Sequence, residues 1–365
     1  MKNKNFIKNK TVEAWKGLSV YSAFYKYHKN LYKKTDLEKA KLTSNEKKEY
    51  RDYWKSISPI ISLDAIELSK SLTGIFNKKI IPEEFFPLYI EPHLNSERKL
   101  TFLENKSVYN KWFDPGIFPK DLFHKLNNSY YTHDFKIIKD IDLFIEEQVT
   151  VNDFPMVIKP NKNSYGGKDI YFVNSKEDIK KIIKDHPNLV VQEKIEQSKL
   201  LDVFNKGSVN TVRICLYKDK EGGVHLLNAS IRMGINGSLD NTSAGGIVCY
   251  IKPSGMLNKY AFDKNLKKYL KHPNSDLVFE YKKFPLYEEL IKASQNVFKG
   301  ITEAQLVSLD MSLDSNDRWR CIELNFFGQT IRFVQYAGQP FLGEYTDEII
   351  ENVRKAQHHL SEPIT

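Results

Sequence analysis

QLVSLDMSLDSNDRWRCIELNFF (305–327) decides how this chain folds. Val307, Leu309, Met311 and Leu313 fall on one parity and Ser308, Asp310 and Ser312 on the other, the alternation of a strand with one apolar and one polar face. DSND supplies a turn. On the returning strand Ile322, Leu324 and Phe326 share one face, and Cys321, Glu323 and Asn325 the other. With the turn at Asp314–Asp317, Asp310 is expected opposite Cys321 and diagonal to Glu323, with β-carbons somewhat under ~7–8 Å apart. Two carboxylates and an amide oxygen on one sheet face are what hard Mg²⁺ ions bridging nucleotide phosphates require. The bland alternative is an exposed polar face.

Working upstream, short strands and helices alternate from about residue 100, the pattern of a mixed α and β core. DFPMVIKP (153–160) and DIYFV (169–173) read as strands around the hairpin loop NKNSYGGK, and Ser175 caps a helix over 175–186. NLVVQEKI (188–195) reads as a buried strand running into polar residues. Segments 209–219 and 223–235 read as a strand pair turning at EGG. Lys159, at a strand end, can reach phosphate oxygens as a point charge. Gly166 and Gly167 let backbone N–H groups approach a phosphate, or simply make a turn. The order of these residues is neither that of a P-loop nor that of a dinucleotide fingerprint. Gln192 and Glu193 end an apolar strand where they could meet an adenine edge.

Residues 11–72 have helical character, with Thr43 or Ser44 as an N-cap, Glu46 in capping-box position and Gly74 as a helix stop. Pro82, Pro87 and Pro92 mark a boundary, leaving 1–95 as a mainly helical region. With 41% apolar and 13% aromatic residues the chain is not disordered, and no apolar run approaches the ~20 residues of a spanning helix. The start lacks the apolar segment of a secretory signal. The three separated cysteines read as buried thiols of a reducing compartment, so a cytoplasmic protein is expected. The balance of 55 basic to 46 acidic residues permits a nucleic-acid partner. Lysines recur along the whole chain, however, and no binding motif accompanies them. No nucleic acid is expected, and an anionic small molecule would use the same surplus.

Strand lysine, glycine hairpin, apolar strand with Glu-Lys, basic strand pair, then Asp…Glu-x-Asn: in this order the motifs resemble the ATP-grasp superfamily. SVNTVRI (208–214) and IRMGINGSLDNTSAGGI (231–247) resemble the Arg…Asp-Asn…Gly-Gly segment of the sugar-transfer-associated ATP-grasp family. ENKSVYNKW (104–112) resembles that family's Asp-Lys-rich helix start, with Glu104 where Asp is more usual. The resemblance covers roughly residues 100–345. It implies an α+β fold in which two subdomains, 96–205 and 206–350, grip ATP, followed by a tail over 351–365.

The resemblance also implies site roles. Lys106 and Lys159 would touch the α- and β-phosphates under a flap around Gly166 and Gly167. Gln192, Glu193 and the backbone at Lys194 and Ile195 would hold adenine. Arg232 would face the γ-phosphate and any acyl-phosphate, with Asn241 and the Gly245–Gly246 turn lining that end. Asp310, Glu323 and Asn325 would hold two Mg²⁺ ions, Glu323 bridging. Arg213 reads as a substrate clamp or a strand-edge ion-pair partner; Gln329 and Arg332 meet substrate or lie on the surface. His133, His186 and His272 sit in polar, turn-like segments and receive no role. The implied activity is ADP-forming ligation of a small-molecule carboxylate to an amine through an acyl-phosphate, in cell-surface polysaccharide or sugar-conjugate work. Amino acids, sugar acids and amino sugars are the substrates in view, and a homodimer is compatible. The alternatives are a kinase acting on a hydroxyl and a nucleotide-binding protein without turnover.

Overall fold

The computed structural model describes residues 2–35, 37–96, 98–162, 169–240 and 242–361. The chain divides into two compact units, Met1–Ser96 with Asn265–Lys267 and Phe327–Thr365, and Glu97–Lys264 with Lys268–Phe326. Among the described residues no helix is long and apolar enough to cross a membrane.

The second unit carries all the strands: β1 (Asp121–Leu126), β2 (Ser129–Thr132), β3 (Ile137–Ile138), β4 (Met156–Lys159), β5 (Tyr171–Val173), β6 (Leu189–Glu193), β7 (Thr211–Lys218), β8 (Val224–Met233), β9 (Ile247–Ile251), β10 (Ala261–Phe262), β11 (Lys268–Tyr269), β12 (Leu306–Leu313) and β13 (Trp319–Asn325). They form two sheets, ordered β3-β2-β1-β6-β4-β5 and β11-β10-β9-β8-β7-β12-β13. In the six-stranded sheet Met156, Ile158, Leu189 and Val191 pack with Ile145, Ile179 and Ile183 of two covering helices. Period-two alternation turns Lys159, Val190 and Gln192 to the opposite face, where Lys159 pairs with Val190 and Gln192 with Asp121. The strand pair before and after 163–168 is as expected; Gly166 and Gly167 themselves lie outside the described residues.

The decisive hairpin forms, in a different register. Asp310 pairs directly with Glu323, not with Cys321. Two extra residues account for the change. The connection runs from Asp314 to Arg318, closed by the Asp314 N–H on the Arg318 carbonyl at 2.9 Å, with Asp317 left-handed at φ 57°. A β-bulge between Asp310 and Met311 then lets Ile322 slip past without a partner. The polar face is buried as well: Ser308, Asp310 and Ser312 are each 5% exposed or less.

The first unit is helical: α1 (Lys2–Lys34), α2 (Ser44–Trp54) and α3 (Asp64–Thr73), then shorter helices and a closing helix, Thr346–Ser361. Thr43 and Glu46 close the expected capping box, and Gly74 takes the left-handed stop at φ 75°. The proline-marked stretch is core: Ile80, Ile81, Phe85, Phe86 and Ile90 are buried, and Pro87 and Pro92 occupy the first helical turns, where a missing N–H costs nothing. Gln335 ties this core together, accepting from the Ile81 N–H at 2.7 Å and donating to its carbonyl at 3.0 Å. Gln335→Leu leaves both buried backbone groups unpaired and should lower stability by about 2–4 kcal/mol, read as an earlier urea midpoint.

Candidate functional site

The polar face of the seven-stranded sheet is built in rows. Ser230, Arg213, Asp310 and Glu323 stand side by side across β8, β7, β12 and β13; Val248, Arg232 and Thr211 form the next row. Arg213 grips Asp310 with both arms, Nε to Oδ1 at 2.6 Å and Nη2 to Oδ2 at 2.8 Å. Arg232 adds its own Nη2 to Oδ2 at 2.8 Å. Burial pushes the Asp310 carboxyl up, but the two guanidinium charges and their hydrogen bonds outweigh it and hold the group well below the usual carboxylate range. Arg213 is therefore an interior ion-pair partner on a central strand, the strand-edge alternative being excluded by the sheet order.

Lys106 enters the same place from a short helical turn, Lys106–Val108, capped by the Asn105 side chain. Its N–H is fixed by the Asn161 carbonyl at 2.8 Å, just past β4, and its ammonium donates to Glu323 Oε1 at 2.7 Å. Lys159 lies beside it, 5% exposed. Among the described residues no hydrogen-bond acceptor is found for the Lys159 ammonium. Burial, then the charge of Lys106, push it down to about 8 against the pull of Glu323 and Asp121. Four cations thus gather around Asp310 and Glu323, with Asp240 3.8 Å from Arg232 and Asp121 acting on Lys159; among the described residues Lys159 is the one of the four without a hydrogen-bonded acceptor.

The remaining expected residues divide. Glu193 Oε1 accepts from Arg320 at 2.6 Å and from the Lys120 N–H at 2.9 Å, so its side chain braces the end of β6. Gln192 is buried on Asp121, with its Nε2 donating at 2.5 Å, and the Lys194 ammonium sits 5.7 Å from the Phe172 ring centre. Ile195 is buried. Asn325 Nδ2 reaches the Ser308 carbonyl at 3.5 Å, leaving the amide oxygen for a cation. Asn241 lies outside the described residues. Its neighbours show why glycine follows: Gly245 is left-handed at φ 108°, and a β-carbon on Gly246 would meet the Asp240 carbonyl oxygen at 2.4 Å. Arg332 is held in the helical unit by Glu83 at 3.0 Å and the face of Tyr27 at 3.8 Å. His272 is fully buried, contrary to its turn-like setting, with its Nε2 on the Gly234 carbonyl at 3.1 Å and two backbone N–H groups on Nδ1.

Two residues, Thr211 and Arg320, belong to the site that the sequence had not singled out. Thr211 donates to Asp240 and accepts from Arg232 Nε at 3.0 Å, linking the Arg232 guanidinium to the loop before Asn241. Burial raises Asp240 against the opposing pull of Arg232 and Thr211. Arg320 joins Glu193 to Asp314 of the hairpin connection. The parity of β7 and β8 puts Thr211 and Arg232 in one row, a signal that becomes readable once the register is known.

For a divalent cation the chemistry of the donor set fits. Asp310 is held ionised, Glu323 is its cross-strand neighbour and Asn325 offers an amide oxygen on the same face, all hard donors. Among the described residues no cluster of three His, Cys, Asp or Glu side chains is poised for a metal, so an ion here would complete its shell with phosphate oxygens and water.

Lys159 carries a stability prediction. At neutral pH the folded chain holds an ammonium whose value has fallen from 10.5 to about 8, a penalty of roughly 3 kcal/mol. Lys159→Met should therefore raise the melting temperature at pH 7. Because the folded state releases this proton near pH 8 and the unfolded chain only near 10.5, parent stability should gain a rising component across that window, absent from the variant. Thermal melts from pH 7 to 10.5 check both.

The sequence matches the family described as "Sugar-transfer associated ATP-grasp" over residues 88–351. Two curated relatives align with shorter stretches: the uncharacterized protein MG011 of Mycoplasma genitalium, 30% identical over 105 residues, and its homolog in Mycoplasma pneumoniae, 28% over 104. Each match covers 27% of this chain and 34% of the relative, so the chain spans about a third of their length. Among solved structures, D-alanyl-alanine synthetase A from Vibrio cholerae is 15% identical, covering 70% of this chain and 65% of that one at a TM-score of 0.41. L-amino acid ligase from Bacillus licheniformis is 11% identical, covering 62% and 41% at 0.37. These structural likenesses are partial. The sequence match takes in every strand of both sheets and the whole charged face between Lys106 and Asn325, and on that extent the chain belongs to the sugar-transfer associated ATP-grasp family.

Proposed function

We propose that this protein is a Mg·ATP-dependent, ADP-forming carboxylate–amine ligase. One observation carries the reading: Lys106, Lys159, Arg213 and Arg232 gather on the face that also offers hard oxygen donors, and among the described residues the buried Lys159 ammonium has no hydrogen-bond acceptor. A polyphosphate is the ligand such an ammonium suits, because it neutralises Lys159 without displacing the carboxylates. In this reading Lys106 and Lys159 lie along the inner phosphates, Arg232 meets the terminal one, and the end of β6 with Glu193 to Ile195 borders adenine. Asp310, Glu323 and Asn325 would hold magnesium, which when bound neutralises the terminal phosphates. We take 96–205 and 206–350 as the two gripping subdomains.

The cations do most of the work this chain can do. They hold the triphosphate in line with an acceptor carboxylate oxygen, which attacks the γ-phosphorus. The bond from that phosphorus to the bridging oxygen breaks, and ADP leaves with the electron pair. An amine then attacks the acyl carbon, phosphate departs with the carbon–oxygen electrons, and the amine gives up a proton. Arg232, held between Asp310 and Thr211, stays beside the transferred group throughout. The family's description supports a setting linked to sugar transfer; within it we take cell-surface polysaccharide or sugar-conjugate work as the context and an amino acid, sugar acid or amino sugar as the substrates.

Two measurements test this. Pairs of amino acids and sugar acids should release phosphate with ADP, and hydroxylamine should trap the activated acid as a hydroxamate when the amine is omitted. AMP as product overturns the mechanism; ADP with a stable phosphorylated hydroxyl and no hydroxamate makes the protein a kinase. Glu323→Gln keeps an acceptor for Lys106 but removes a charge from the donor set. Turnover should fall at least ~100-fold with circular dichroism unchanged.

A further inference from the structure

The positive surplus of this protein is not spread as its lysines are. The whole chain carries +9, and α1 alone, with nine lysines against Glu13, accounts for +8. Beyond this helix basic and acidic residues nearly cancel.

The helix has two described faces. Inward, Leu31 and His28 are buried, the Tyr21 hydroxyl donates to the Ile60 carbonyl at 2.9 Å, and Tyr27 stacks under Arg332. Outward, Leu18, Ser22, Tyr25, Lys29 and Lys33 recur at spacings of four, three, four and four, one continuous stripe, with Lys26 and Lys34 alongside. Leu18 is 66% and Tyr25 58% exposed. Among the described residues Lys26, Lys29, Lys33 and Lys34 form no ion pair with a carboxylate; Lys29 instead lies 5.9 Å from the Tyr25 ring centre.

We propose that the outward stripe of α1 docks the protein on an anionic lipid surface. Charge complementarity names the partner's sign: the sequence of α1 carries a net +8, and Lys26, Lys29, Lys33 and Lys34, without carboxylate partners among the described residues, attract a dense negative surface, each lysine near it strengthening attachment about fivefold. The apolar side chains name its kind. Leu18 and Tyr25, interleaved with the lysines, suit a headgroup layer with hydrocarbon beneath it. A nucleic acid would leave Leu18 idle, and α1 contains no arginine, the side chain best fitted to paired phosphate or base contacts.

Sedimentation with vesicles tests the proposal without reference to nucleotide chemistry. The full chain should pellet with phosphatidylcholine vesicles containing roughly 30 mol % phosphatidylglycerol, stay in solution with phosphatidylcholine alone, and be released by about 0.5 M salt. The triple variant Lys26→Glu/Lys29→Glu/Lys33→Glu should bind at least ~100-fold more weakly. Leu18→Ser/Tyr25→Ser should lose several-fold at unchanged charge. Circular dichroism verifies folding, and Lys→Gln changes at the same three positions serve if charge reversal disturbs it. No binding by the parent, or undiminished binding by the triple variant, overturns the proposal. Tight binding of a single-stranded oligonucleotide without vesicle binding overturns it in favour of nucleic acid.

Discussion

Two guanidinium groups share one buried carboxylate. Burial pushes Asp310 up; Arg213 and Arg232 outweigh it and hold the carboxyl well below the usual range inside the sheet. Everything at the site is arranged around that contact. It joins β7, β8 and β12 on their polar face, leaves the Arg232 Nε to donate to Thr211, and places Glu323 beside an anion already satisfied. Glu323 then remains available to Lys106, and Lys159 remains without an equivalent partner among the described residues. A buried ammonium without a hydrogen-bonded acceptor is costly to fold; under the proposed function a polyanionic ligand would relieve that cost, setting binding against stability at Lys159.

Local irregularities, not regular strand geometry, bring the carboxylates together. In a perfect hairpin around Asp314–Asp317, Asp310 would have faced the Cys321 thiol. The longer connection and the bulge at Ile322 move Glu323 directly across from it. The same principle operates at Gly246, where backbone passes so close to the Asp240 carbonyl that no β-carbon fits. These are positions where packing has selected an uncommon backbone path to aim particular side chains.

The helical unit shows the converse. Its most chemically suggestive groups are used to hold helices in place: Arg332 lies between Glu83 and Tyr27, and Gln335 imitates a strand partner for Ile81. What distinguishes α1 is the face it does not pack. A buried stripe fixes the helix, and the opposite stripe combines lysines that form no ion pair among the described residues with exposed leucine and tyrosine. Such an arrangement adds nothing to folding, since exposed like charges on adjacent turns repel.

Much of this was determined by the sequence alone, because it depends on neighbours close along the chain. Period-two alternation sorted Lys159 from Ile158 and Asp310 from Leu309 onto opposite faces, and hydroxyl and glycine caps marked the ends of α2 and α3. The order of the motifs was enough to resemble the family to which the chain belongs. The partners were decided only by the tertiary structure. Arg213 and Asp310 are 97 positions apart, and Lys106 and Glu323 are 217 apart. No local pattern encodes which buried cation meets which carboxylate, since burial, charge and hydrogen bonding compete among groups brought together by the sheets. A shift of one residue in the β12–β13 register would have faced Asp310 with a different side chain.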